Sequence, residues 1–213
     1  SETGLPRRVR HVCYRKLVRQ IELLDAGVPS GFWSSHKLLN DDQYSDVVRY
    51  ISKLDVAHRR GFGLILSGPN GCGKTTAACA ILIAAKLKGL SIAYVVLQDL
   101  LASKSEYSAA EAASAWYESV VGAEFVVLDE LGKESLRNEQ AKQSRIEAFL
   151  RHRWSTHKPT IVCTNLELSE IKERKLYTLS VIHMLAARAR ILSMEATNFR
   201  ISERDAIDEE IFG

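Results

Sequence analysis

The chain has 213 residues, the length of one generous domain or of a domain with a small appendage, and its 46% hydrophobic and 26% charged residues suit a globular protein with a sizeable core. Four prolines and twelve glycines exclude collagenous and low-complexity classes, and the longest apolar runs are far too short to span a bilayer. The net charge of +3 is mild but unevenly spread: no acid occurs between Thr3 and Ile21, where Arg7, Arg8, Arg10, Arg15, Lys16 and Arg19 crowd together, and the last eleven residues lean acidic.

In chain order, residues 7–25 read as a helix with Val9, Val12, Leu17, Ile21 and Leu24 near one side. Gly27, Pro29, Ser30 and Gly31 break it, and a connector with two aromatics follows over 32–39. Residues 43–58 form a second amphipathic helix, with Tyr44, Val47, Val48, Ile51 and Leu54 as its stripe. From Phe62 the rhythm changes. Strands are expected at 62–66, 91–96, 124–128, 160–163 and 191–194, and helices at 75–87, 97–103, 109–121, 138–155 and 178–190. This alternation predicts an α/β fold, a central parallel sheet with helices on both faces. The boundary falls near residue 40, dividing a basic helical arm and connector (1–40) from an α/β core (41–213).

Gly68-Pro69-Asn70-Gly71-Cys72-Gly73-Lys74-Thr75 fits G-x-x-x-x-G-K-[ST] at every fixed position, directly after an apolar strand and directly before a helix. The glycines let backbone N–H groups curl around a phosphate, and the helix adds the positive end of its dipole. Lys74 suits the β- and γ-phosphates of ATP, the Thr75 hydroxyl suits Mg²⁺, and Thr76 joins the nucleotide-binding set. A chance match is expected in about one chain in a hundred of this size. Cys72 sits inside the loop, where only its backbone is required. Cys13, Cys79 and Cys163 complete the cysteines; no C-x-x-C pair exists, so all four are expected as thiols and no zinc site is expected.

The strand EFVVLDE ends in two adjacent acids, Asp129 and Glu130. Beside a phosphate loop, Asp129 suits the Mg²⁺ shell, acting through water, and Glu130 suits an attacking water. Neighbours on an extended strand face opposite ways, so the two acids divide the roles. Asn165, after the 160–163 strand, suits the γ-phosphate or the water, or caps the next helix. Arg188 and Arg190 follow a helix, and their spacing of two points them to different faces.

Together these motifs resemble the DnaC/IstB branch of the AAA+ ATPases, the helicase loaders and transposition helper ATPases. GPNGCGKT resembles its Walker A, VVLDELG its Walker B, CTN its sensor 1 and MLAARAR its arginine-finger region, with Arg188 a better match than Arg190. EATNFRI resembles its terminal element and puts Arg200 at a sensor-2-like place among the nucleotide-binding residues. The resemblance runs from about Val12 to Ile201 and implies a three-layer P-loop ATPase of the ASCE type, hydrolysing ATP with Mg²⁺ as a ring-shaped or helical homo-oligomer. It further implies DNA held by backbone contacts, the basic arm being one candidate surface, and either a replicative helicase or a transposase as partner. A small-molecule kinase is the rival enzyme class; it gives Asn165 and Arg188 no role. With no apolar segment after the basic start, no signal peptide is expected, and the chain is expected to be cytoplasmic with no membrane partner.

Overall fold

A computed structural model describes residues 7–35, 42–102, 110–132, 139–173, 177–195 and 211. Its sheet has five strands, β1 (Gly63–Ser67), β2 (Ile92–Val96), β3 (Phe125–Leu131), β4 (Thr160–Thr164) and β5 (Ala189–Ser193), all parallel, in the order β2-β3-β4-β1-β5. The expected architecture is present. Strand residues alternate between two cores: Leu64, Leu66, Phe125, Val127, Ile161 and Cys163 face one way, and Ile65, Val95, Val126, Leu128 and Val162 the other.

The first face is covered by α2 (Ser45–Ser52), α3 (Leu54–Arg60) and α4 (Lys74–Leu87), together with Leu23 at the end of α1 (Arg7–Asp25) and Val28 just beyond it. The second is covered by α5 (Leu97–Ala102), α6 (Ala110–Gly122), α7 (Glu139–Ser155) and α9 (Leu179–Ala187), with Ile171 of α8 (Leu168–Glu173). Strands buried on both faces are why their sequences read as continuous apolar runs. Among the described residues, no helix is long and apolar enough to cross a membrane.

Four expectations need correction. The helix expected over 43–58 is a 3₁₀ turn (Asp42–Tyr44) and two helices parted at Lys53. Ser52 Oγ donates to the Arg49 carbonyl at 2.7 Å, taking the acceptor a continuous helix would give the Lys53 N–H, which turns to Tyr50 O at 3.0 Å. The helix expected to reach residue 190 ends at Ala187, and β5 starts at Ala189 rather than 191. Pairing wins over the helical propensity of the Ala-Arg repeat: Ala189 and Arg190 register with Gly63 and Leu64, and the Gly63 N–H donates to Arg188 O at 2.7 Å.

The third correction concerns β3, which runs to Leu131 instead of stopping at 128. Its register to β4 steps from Leu128↔Val162 to Leu131↔Thr164, so one extra residue is accommodated at Asp129-Glu130, and Glu130 takes φ 63°. The fourth concerns α1. Leu17, Ile21 and Leu24 of its expected apolar side are 54%, 49% and 62% exposed, and Leu23 is the residue that enters the core.

Candidate functional site

The carboxyl ends of β1, β4 and β3 carry the residues that the sequence singles out. The loop 68–75 leaves β1, Asp129 and Glu130 lie at the end of β3, and Asn165 follows β4, which lies between the other two. A parallel sheet places its binding crevice at this edge.

Gly68, Gly71 and Gly73 adopt φ of 146°, 83° and 90°, conformations that L side chains rarely take. At Gly68 the restriction is also spatial, since a Cβ would lie 2.3 Å from Met194 O at the end of β5. The loop opens into α4, whose first residue is Lys74. Lys74 is buried, and its Nζ donates to the Gly68 and Pro69 carbonyls at 2.7 Å each, so its ammonium stands inside the loop curve. Thr76 lies in the first turn of α4. Cys72 is fully closed off, its Sγ 3.6 Å from Lys74 Nζ, and packs in the core. The loop offers its backbone at this position.

Thr75 and Asp129 meet, with Thr75 Oγ1 donating to Asp129 Oδ2 at 3.0 Å. The bulge in β3 turns the acid pair apart: Asp129 is 6% exposed, whereas Glu130 is exposed. Glu130 still contributes its backbone N–H, which donates to Asp129 Oδ1 at 2.7 Å. The two acids do point apart, and a bulge rather than plain strand alternation turns them. Asn165 Nδ2 donates to Asn70 Oδ1 at 2.9 Å, joining the β4 tip to the glycine-rich loop. Around Asp129, burial and the carboxylate push the Cys163 thiol and the Tyr94 phenol well up, so both keep their protons.

Arg188 lies elsewhere. It closes α9 next to the amino end of β1, while the loop lies beyond the carboxyl end, roughly 15 Å away at about 3.3 Å per residue. Its guanidinium stacks over the Trp154 ring, 5.1 Å from the centroid, with Nη1 donating to Arg60 O at 3.5 Å and Nη2 donating to His157 Nε2 at 3.3 Å. Arg190 pairs with Asp46 of α2 at 3.2 Å, so the two arginines do diverge. Arg15 and Lys16 are exposed on α1. Arg7, Arg8 and Arg10 lie in the same helix with side chains outside the described set, and Arg200 lies outside the described residues.

Two participants escape the sequence reading. Tyr94 of β2 donates its hydroxyl to Asp129 Oδ2 at 2.5 Å; its only signal is a lone phenol in an otherwise aliphatic strand. Trp154 reads as one aromatic near the end of a helix, and its link to Arg188 exists only once α7 and α9 are side by side.

Comparison with known proteins gives a family and a fold. The family of IstB-like ATP binding proteins matches residues 39–205. No curated protein matches the chain. Among solved structures, the DnaC helicase loader is similar at 21% identity and a TM-score of 0.61, over 78% of this chain and 99% of that one. DnaI is similar at 19% identity and a TM-score of 0.62, over 73% and 87%. The replication initiator DnaA bound to AMPPCP and single-stranded DNA is similar at 12% identity and a TM-score of 0.66, over 86% of this chain and 56% of that one. At these identities the likeness to the solved structures is one of fold.

Proposed function

The chain belongs to the IstB-like ATP binding protein family, and from that premise we propose that it is an ATPase that assembles into an oligomer on DNA and loads or remodels a replicative helicase. The observation that carries the hydrolytic part is the convergence of Lys74, the Thr75–Asp129 pair, Glu130 and Asn165 at one edge of the sheet.

The residues fit a magnesium nucleotide. A hydroxyl and a carboxylate 3.0 Å apart are hard oxygen donors of the kind Mg²⁺ takes, and both stand at the mouth of an amide-lined loop. Thr75 and Asp129 would hold the ion, which when bound neutralises charge on the phosphate oxygens. The loop amides and Lys74 bind and orient the phosphates. Glu130, exposed beside the buried Asp129, orients the attacking water and accepts its proton. The Asn165 amide fixes the water or the terminal phosphate from the intervening strand. Arg188 serves a neighbouring copy's nucleotide, because its own loop is a strand length away.

DNA meets the assembly through phosphate contacts, with Arg7, Arg8, Arg10, Arg15 and Lys16 of α1 as one basic surface. One subunit's contacts are few, so ATP-driven assembly multiplies them. The membership itself favours a second reading, a transposition helper on double-stranded DNA that engages a transposase.

The test is turnover and binding by variants. Lys74→Ala loses nucleotide affinity, whereas Glu130→Gln binds ATP yet hydrolyses it at least ~100-fold more slowly. Unimpaired turnover by Glu130→Gln refutes the assignment. Salt titrations of DNA binding, with ATP and with ADP, should show steep salt dependence and tighter binding with ATP. Preference for single strands favours the loader, and preference for duplex favours the helper.

A further inference from the structure

The Asp129 carboxylate is held by residues from three elements around it. Its Oδ2 accepts two hydrogen bonds, from Thr75 Oγ1 at 3.0 Å and from the Tyr94 hydroxyl at 2.5 Å, and its Oδ1 accepts the Glu130 N–H at 2.7 Å. The Thr75 hydroxyl, already bonded to the carboxylate, would hold the ion together with it. Tyr94 does not belong to that pair. It comes from β2, the edge strand, in register with Val127, two residues before Asp129 on β3. Its phenol reaches the carboxylate from the core side, where it is half-buried among Cys79, Cys163 and the start of α4.

The backbone of the same residue is gripped from the open side of the sheet. The Tyr94 N–H donates to Ala26 O at 2.7 Å, a rung supplied by the turn that leaves α1. At the next position the approach is so close that a Cβ on Gly27 would stand 2.6 Å from Tyr94 O, and Gly27 has φ 78°. Hence the turn at the end of the basic helix sits on the residue whose side chain holds the acid at the nucleotide site.

We infer that Tyr94 is a positioning residue for Asp129 and that, through it, the seating of Ala26–Gly27 on β2 sets the readiness of the site to take Mg²⁺ with ATP. The phenol holds the carboxylate in place whether or not Thr75 stays bonded to it. A change in how α1 sits moves the strand at Tyr94, and the coupling is reciprocal: whatever α1 binds gains or loses affinity as the metal nucleotide binds. The inference rests on the reading of Thr75 and Asp129 as the metal pair.

The experiment is calorimetric titration of the full chain with ATP, once in EDTA and once in MgCl₂, for wild type, Tyr94→Phe and Gly27→Ala. The quantity read is the gain in ATP affinity that Mg²⁺ gives. Outer-shell partners of metal ligands typically carry 10–100-fold in metal affinity. Tyr94→Phe should therefore cut the gain about 10-fold while its affinity in EDTA stays at the wild-type value, which also reports an intact fold. Gly27→Ala, with the phenol in place, should also cut the gain, by less than the roughly 10-fold of Tyr94→Phe, because a Cβ there forces the turn off the strand. A gain in Tyr94→Phe equal to wild type overturns the positioning role, and equal loss in EDTA and MgCl₂ overturns it too, since that is mere loosening. A full gain in Gly27→Ala overturns the link to α1. Absence of any gain in wild type fells the metal pair itself, and this inference with it.

Discussion

Arg153 heads the largest side chains that the fold closes off from solvent, with 1% of its surface exposed. Its guanidinium is used in full: Nε donates to Thr160 Oγ1 at 2.8 Å, Nη1 to Val121 O and Ala123 O at 3.2 and 2.8 Å, and Nη2 to Glu124 O and Pro159 O at 3.4 and 2.5 Å. Those carbonyls terminate α6 and precede β3 and β4, so one side chain satisfies backbone groups that three elements leave buried. Burial lowers its pKa to about 9, still high enough to keep it charged near neutrality. Its neighbour Trp154 turns outward and carries Arg188, so locking the last turn of α7 also locks the platform for that arginine. Arg153→Met keeps the apolar stem but strands the carbonyls it served, at about 1–3 kcal/mol each, predicting a loss of at least about 4 kcal/mol. Urea unfolding measures it; an unchanged midpoint at unchanged slope contradicts the role given to these hydrogen bonds.

At the scale of elements, β2 and β3 are joined at their amino ends by a reciprocal clasp. The Glu124 carboxylate accepts the Ser91 N–H at 2.7 Å and its hydroxyl at 3.0 Å, Ser91 Oγ accepts the Glu124 N–H at 3.0 Å, and His58 of α3 approaches the same carboxylate at 3.2 Å. The Ser91 backbone hydrogen bond above all holds the Glu124 pKa below its ordinary 4.5. A folded-state pKa below the unfolded one means that the unfolded chain binds more protons as pH falls, so the clasp stabilises fully above about pH 4.5 and is lost as pH drops through the lower folded value. The stability difference between wild type and Glu124→Gln should therefore narrow steadily below about pH 4.5, followed by urea unfolding at each pH. A difference that stays constant down to pH 3 contradicts the clasp. The same scale decides what the sequence could reveal. The glycine-rich loop, the strands of the core and the acid pair were legible because each is a local pattern: a fixed spacing, an apolar run, a polar tip. The break at Lys53 depended on one serine hydroxyl competing for a carbonyl. The early start of β5 depended on a partner strand 126 residues away in sequence, Ala189 against Gly63. The bulge at Asp129-Glu130, which sets how the two acids divide, exists only against β4. Tyr94 was invisible for the same reason, since the acid it serves lies on another strand.

At the scale of the whole molecule, the sheet separates the loop residues from Arg188. Lys74, Asp129, Glu130 and Asn165 lie at the carboxyl ends of the strands, while Arg188 lies at the amino end, stacked on Trp154. Under the proposed function, Arg188 would reach a neighbour's loop in a head-to-tail contact, and such heterologous contacts generate rings or helical filaments. If Arg188 completes a neighbour's site, turnover must rise faster than linearly with protein concentration, since an arginine supplied in trans contributes about 10³-fold or more. Arg188→Ala should bind ATP normally, because its loop is untouched, yet turn over about 10³-fold more slowly. Glu130→Gln should be equally inactive for a different reason. Mixed in equal amounts, the two inactive variants place an intact Glu130 opposite an intact Arg188 at about a quarter of the interfaces of a randomly assembled head-to-tail oligomer. Activity should then reappear at roughly a quarter of the wild-type value, and ATPase assays across mixing ratios should peak near one to one. Two variants that co-assemble by light scattering and remain inactive at every ratio would show that the two ends of the sheet do not meet across subunits.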